Sequence, residues 1–370
     1  MDLSTVNHTF MFYRGFMQFC GGLGFVLLML VFASGSSAME LFSAEGHPDK
    51  LEPNLRSTAK LMMFIYVGSN ILGIVAYMFF GLPWLDAVFH SMAALSTGGF
   101  GMTAESIAAY HSLPVEIITM ILMLIGTTNF AILALLVKGK FKKFLQIGET
   151  WFMVVLIMIF VGLVSFGGMY GVYSNLSQSV RDAFFQVVSG LSTTGFSTVD
   201  FNRWTGGMNL VIILSMIIGG GAGSTAGGIK FTRVYGLYKN AVFNLKKRFM
   251  PERSVNMERI CKVEGPTYLT YQSLEEMGRY FFAYISIYFI GVLLFTFGGV
   301  PLEQAMFEFA SALGTAGLSV GITGPGTSAY ILIIEIAGMF LGRLEIFIIL
   351  TAALAILAKG VDLAKGKRMR

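Results

Sequence analysis

Three copies of one short phrase, each closing an apolar run, constrain this chain more than any other feature. They are Leu95-Ser96-Thr97-Gly98-Gly99-Phe100, Leu191-Ser192-Thr193-Thr194-Gly195-Phe196 and Leu313-Gly314-Thr315-Ala316-Gly317-Leu318. Matched stretches precede them: Asp86-Ala87-Val88-Phe89, Asp182-Ala183-Phe184-Phe185 and Gln304-Ala305-Met306-Phe307. Self-similarity at intervals of about a hundred residues speaks to the whole architecture before any single motif does. A Ser/Thr/Gly turn repeated inside membrane-grade sequence predicts backbone carbonyls set around an axis, the construction of a cation filter.

The surrounding sequence is built for lipid. Runs near 14–34, 61–81, 114–137, 149–171, 277–299 and 329–358 are apolar, and about 20 such residues cross a bilayer core. A seventh run, near 208–239, is long enough but interrupted by glycines. Hydrophobic residues make up 55% and charged residues 13% of the chain, and the mean hydropathy is +0.71. An all-α polytopic membrane protein of the cytoplasmic (inner) membrane follows, and a soluble domain is excluded. The net charge of +5 does not indicate nucleic acid. Its basic residues cluster after spans, at Lys138–Lys143, at Lys246, Lys247, Arg248, Arg253, Arg259 and Lys262, and in the tail from Lys359 to Arg370. Those loops are expected on the cytoplasmic side and the repeated phrases on the other. Cys20 and Cys261 make neither a disulfide framework nor a metal site, and no nucleophile–base pair or Walker loop points to an enzyme.

Each phrase sits in a larger unit: a span, a short half-helix, the turn, and a second span. The predicted organisation is 1–56 as the second half of a first repeat plus a cytoplasmic linker, 57–147 as repeat 2 and 148–245 as repeat 3. A cytoplasmic connection fills 246–276, and 277–370 is repeat 4 with a basic tail. Three and a half of four potassium-channel-like repeats around one pore are thus expected, with the first filter segment lying upstream of residue 1 in an N-terminally truncated chain. Pro83 and Pro301 fall near half-helix starts, where a missing amide costs least. Asp86, Asp182 and Glu303 are predicted in first turns, where carboxylates suit the positive helix end.

Four constellations carry chemistry. The candidate ion-binding residues are Ser96, Thr97, Gly98 and Gly99; Ser192, Thr193, Thr194 and Gly195; and Gly314, Thr315, Ala316 and Gly317. Carbonyls and hydroxyls there replace a cation's water without binding it too tightly. Small residues packing between helices are the competing explanation. The second is Gly219-Gly220-Gly221-Ala222-Gly223-Ser224-Thr225-Ala226-Gly227-Gly228. Its six glycines would cost a continuous helix about 6 kcal/mol, so a mobile intramembrane gate is expected, against a close helix crossing. Third, Arg343 in the last span either enters the pore and bonds that loop or pairs with Glu335 or Glu345, because a central membrane arginine needs a partner or water. Finally, His90, Gln186 and Glu308 share one aligned position and are expected to hydrogen-bond backbone behind the turns.

These phrases, the Gly219–Gly228 run followed by Ile229-Lys230, and Arg343 together resemble the Trk/Ktr/HKT superfamily of potassium transporters, specifically the bacterial Trk/Ktr-type membrane subunit. The resemblance covers essentially the whole chain. It implies potassium uptake with K+ at the filter residues, no other cofactor, Gly219–Gly228 as gating loop and Arg343 as its partner. It further implies a homodimer in membrane lipid with a cytosolic nucleotide-binding regulatory ring. A non-conducting truncated or regulatory subunit, or a sodium-permeable relative, is the alternative.

Overall fold

The computed structural model describes residues 6–23, 55–103, 105–249, 259–263, 265–324, 326–343 and 346–364 of the 370. The linker 24–54, Arg253, Glu345 and the tail from 365 lie outside the described residues. The chain starts with α1 (His8–Leu23), α2 (Leu55–Phe79) and the half-helix α3 (Trp84–Leu95), then α4 (Leu113–Thr127), α5 (Phe130–Val137) and α6 (Phe141–Gln146). Next come α7 (Gly148–Gly168), the half-helix α8 (Leu176–Leu191), α9 (Gly206–Ile218) and α10 (Phe231–Lys247). Antiparallel strands β1 (Arg259–Lys262) and β2 (Gly265–Tyr268) follow, pairing Arg259 with Tyr268. The chain ends with α11 (Tyr271–Phe297), the half-helix α12 (Leu302–Gly314), α13 (Ala329–Arg343) and α14 (Ile346–Ala364).

Segments Ser57–Phe79, Gly148–Gly168 and Tyr271–Phe297 are each long and apolar enough to cross a membrane. Each leads directly into a half-helix. The half-helices start where the sequence supplies a stop or a cap. Pro83 and Pro301 occupy the N-cap positions of α3 and α12, and the Asn175 side chain accepts from Ser177 N at the start of α8. Their inner faces are fully enclosed: Phe89, Phe185 and Phe307 are all buried. One continuous apolar core joins all three, running from Tyr77 through Phe185 to Phe309.

Three expectations are corrected. The run 114–137 is not one span: α4 and α5 meet at 110°. Membrane-depth backbone can break only where its polar groups find partners in protein, and here they do. Asn129 caps α5 through Ala131 N at 2.7 Å, and Phe130 N donates to Gly223 O at 3.1 Å. The run 329–358 is likewise divided, α13 meeting the following helix at 108°. Asp182 does not lie in a first turn, because α8, capped by Asn175, starts at Leu176 six residues before it; it pairs instead with Tyr173.

Candidate ion pathway

All three half-helices end the same way. Thr97 N donates to Ala94 O and Gly98 N to Ala93 O; Thr193 N to Gly190 O and Thr194 N to Ser189 O; Thr315 N to Ala312 O and Ala316 N to Ser311 O, all between 2.8 and 3.2 Å. This 5→2 plus 6→1 pairing is the Schellman termination, which requires a left-handed residue just past the cap and usually recruits glycine for it. Here threonine fills the place three times, with φ of 50° at Thr97, 52° at Thr193 and 52° at Thr315. A β-branched side chain pays about 1–2 kcal/mol for that conformation, and such strain concentrates at functional sites. Two residues on, Gly99, Gly195 and Gly317 turn the chain again at φ of 71°, 93° and 87°.

The turns pack on one another. A Cβ added to Gly99 would fall on the carbonyl oxygen of Thr194, and one added to Gly195 on that of Ala316. A Cβ added to Gly317 would lie 3.9 Å from the Thr194 oxygen, so glycines of two different turns border the same carbonyl. Segments from distant parts of the sequence thus share a centre. Each brings there the C-terminus of a helix, worth roughly half a negative charge. The arrangement offers a dehydrated cation neutral oxygens and favourable dipoles.

Directly against these turns lies the Gly219–Gly228 segment. Thr97 Oγ1 donates to Thr225 Oγ1 at 3.1 Å, Gly227 N donates to Thr193 Oγ1 at 2.7 Å, and an added Cβ on Gly227 would fall on Thr315 Oγ1. All three strained threonines therefore converge on Thr225–Gly227. The segment is not helical, as its glycines predict, and Gly219, Gly223 and Gly228 have φ of 70°, 67° and 78°. Gly220, Gly221, Ser224 and Ala226 are buried with it, while Ala222 is half-buried. Its polar groups pair with the broken α4–α5 span: Gly221 N with Thr127 O at 2.9 Å and Thr225 N with Gly126 O at 3.1 Å. The bend in one span exists to receive the loop from another.

Arg343 reaches this loop. Its Nη1 donates to Thr225 O at 3.2 Å and its Nη2 to Gly21 O at 2.7 Å, tying α13 to both the loop and α1. Glu335 lies two turns up α13, where it accepts from Thr323 Oγ1 at 3.1 Å. Lys230 Nζ donates to Ala226 O, so two basic side chains bond adjacent carbonyls of the segment.

Behind the turns the aligned trio separates. Glu308 Oε1 accepts from Val320 N at 3.0 Å, Ile322 N at 3.3 Å and Ser319 Oγ at 2.6 Å, holding the backbone that leaves the third turn. Gln186 bonds the Thr198 hydroxyl at 3.1 Å rather than backbone. His90 departs as well: its Nε2 meets Tyr110 Oη at 3.0 Å, and Tyr110 donates to Asp86 Oδ2 at 2.8 Å. Burial, then the bond to Asp86, push the Tyr110 hydroxyl up from its ordinary value, so Tyr110 keeps its proton and points it at Asp86. The His90 Nε2 therefore carries the ring proton, leaving Nδ1 as an acceptor with no partner among the described residues. These side chains bond the segments that follow the turns.

Ser189 and Ser311 escaped the sequence reading. Ser189 Oγ donates to Phe196 O at 2.6 Å, and Ser311 Oγ accepts from Gly317 N at 3.0 Å. They occupy one aligned position, three residues before the cap, which in the first copy is Ala93. Comparing the half-helices position by position exposes that signal.

Comparison with known proteins gives the chain a family. A family model described as TrkH, cation transport protein, matches residues 1–361. The Trk system potassium uptake protein TrkH of Escherichia coli K12 is 28% identical, covering 95% of this chain and 74% of its own length. An uncharacterized cation transporter of Methanocaldococcus jannaschii is also 28% identical, over 98% of this chain and 74% of its own. Among solved structures, the potassium transporter TrkH from Vibrio parahaemolyticus superposes with a TM-score of 0.80 at 26% identity, over 95% of this chain and 73% of that one.

Proposed function

The chain belongs to the TrkH family of cation transport proteins, and from that premise we propose that it carries potassium into the cell through the centre shared by its three turns. It is a multi-pass protein of the cytoplasmic membrane and not an enzyme. In the proposed mechanism K+ sheds water against the carbonyls and hydroxyls of Ser96–Gly99, Ser192–Gly195 and Gly314–Gly317. Gly219–Gly228 obstructs the path beneath them, held closed by Arg343 on the Thr225 carbonyl. Opening moves this loop and breaks that bond. The convergence of Thr97, Thr193 and Thr315 on Thr225–Gly227 is the observation that carries the reading.

Control from the cytoplasm has a physical route. A small cavity is lined by Ala222 of the loop, Asn129 of the bend, Glu149 of α7, and Ile260 and Cys261 of the β-hairpin. A partner that shifts the hairpin therefore presses on the gate's own surroundings. The relatives are named as parts of Trk systems, and the protein is read as the homodimeric membrane subunit of such a system, docked by a cytosolic nucleotide-binding ring. Potassium influx into vesicles holding the purified protein tests the reading. Uptake of K+ with discrimination against Na+ is expected; no uptake, or equal passage of both, overturns it.

A further inference from the structure

Helix α1 lies alongside the first turn in a register that nothing above requires. Arg14 stacks on the Phe100 ring with its guanidinium carbon 4.2 Å from the ring centre. Gln18 Nε2 donates to Gly98 O at 2.9 Å. A Cβ added to Gly22 would sit 2.6 Å from Ser96 Cβ. Positions 14, 18 and 22 thus meet 100, 98 and 96. Four helical residues rise about 6 Å and two extended residues about 6.6 Å, so the antiparallel match repeats along one helix stripe.

Gln18 is the member that touches the ion path. The aligned carbonyls of the three turns belong to Gly98, Thr194 and Ala316. Two of them abut a neighbouring turn, Thr194 O against Gly99 and Ala316 O against Gly195. The third takes an N–H from Gln18. The fit is tight, since a Cβ on Gly98 would lie 2.7 Å from Gln18 Cδ, and the Gln18 Oε1 is buried with no hydrogen-bond partner among the described residues.

On the reading that these turns select K+, we propose that Gln18 is a specificity-determining positioning residue. Its N–H fixes the direction of the Gly98 carbonyl and draws electron density from it. Weakening one ligand's field favours the larger, more weakly hydrated monovalent ion, because discrimination follows the number and field strength of the coordinating carbonyls. Loss of the donor frees that carbonyl to close on the smaller Na+.

The test measures K+ and Na+ influx into vesicles with the wild-type protein, Gln18→Met, Gln18→Glu and Met17→Leu. Gln18→Met keeps length and loses the donor; the K+/Na+ influx ratio is expected to fall about fivefold to tenfold, the worth of one hydrogen bond. Gln18→Glu keeps size and polarity, so it carries the same test should the Met variant fold poorly. It is expected to lower the ratio and also the half-saturating K+ concentration, because a carboxylate holds the cation. Met17 is exposed on another face of α1, and Met17→Leu is expected to keep the wild-type ratio. A wild-type ratio in both Gln18 variants overturns the proposal and leaves the pore reading standing. A wild-type protein that does not select K+ overturns the pore reading itself.

Discussion

The three filter-like turns and the Gly219–Gly228 segment are both glycine-bearing breaks in membrane helices, yet they are held in opposite ways. Each turn is closed by hydrogen bonds to its own half-helix, no more than seven residues back, and all three adopt one backbone shape. The loop's key bonds come from far away in sequence: Leu95, Gly126 and Thr97 on Thr225, Thr193 on Gly227, and Arg343 on the Thr225 carbonyl. Locally encoded geometry is stiff and repeats. Geometry borrowed from other elements can be released when a lender moves. That contrast is what a fixed filter and a movable gate require of one chain.

Substitutions break or sharpen the contrast. Gly195→Ala strikes the stiff region, since its Cβ would fall on Ala316 O at a φ of 93°. Overpacking and strain of this kind cost several kcal/mol, and K+ influx is expected to drop about a hundredfold. Influx near the wild-type level would show that the turn is not rigid. Arg343→Ala removes a charged donor worth about 1.5–3 kcal/mol. It is expected to raise influx about tenfold or more, measured in the same vesicles; unchanged or reduced influx argues that Arg343 does not hold the loop. Thr225→Val removes neutral bonds to Leu95 O at 3.2 Å and Gly126 O at 2.9 Å, and the one accepted from Thr97 Oγ1 at 3.1 Å. A rise of about fivefold is expected at about 1 kcal/mol, with the K+/Na+ ratio unchanged if gate and filter are separate. Thr315→Gly has the smallest effect. Relief of left-handed strain is expected to raise unfolding stability by about 1 kcal/mol while weakening K+/Na+ discrimination. A clear loss of thermal stability would mean the threonine conformation is not strained.

Legibility from sequence follows the same division. The turns were readable because their geometry is local: Ser/Thr/Gly after an apolar half-helix states where the chain must reverse. The break at Gly219–Gly228 was readable from helix propensity alone, but its path was not, since Thr127, Thr193 and Arg343 set it from other elements. The bend between α4 and α5 was missed for a related reason. Leu113–Val137 carries enough apolar length for a straight span, and only Thr127-Thr128-Asn129, with an N-cap residue in its midst, hinted otherwise. Asp182 was misplaced because Asn175 offered a cap earlier in the chain. The family resemblance and the membrane class were legible throughout, as chain-wide composition and repeated motifs demand little tertiary knowledge.

Thallium diffraction bears most directly on whether one ion path runs through the three turns. Tl+ has nearly the size of K+ and scatters anomalously. Crystals soaked in a thallium salt are expected to show an anomalous peak within coordination distance of the carbonyls of Gly98, Thr194 and Ala316 together. Peaks confined to the protein surface, or on one turn alone, would contradict a shared centre.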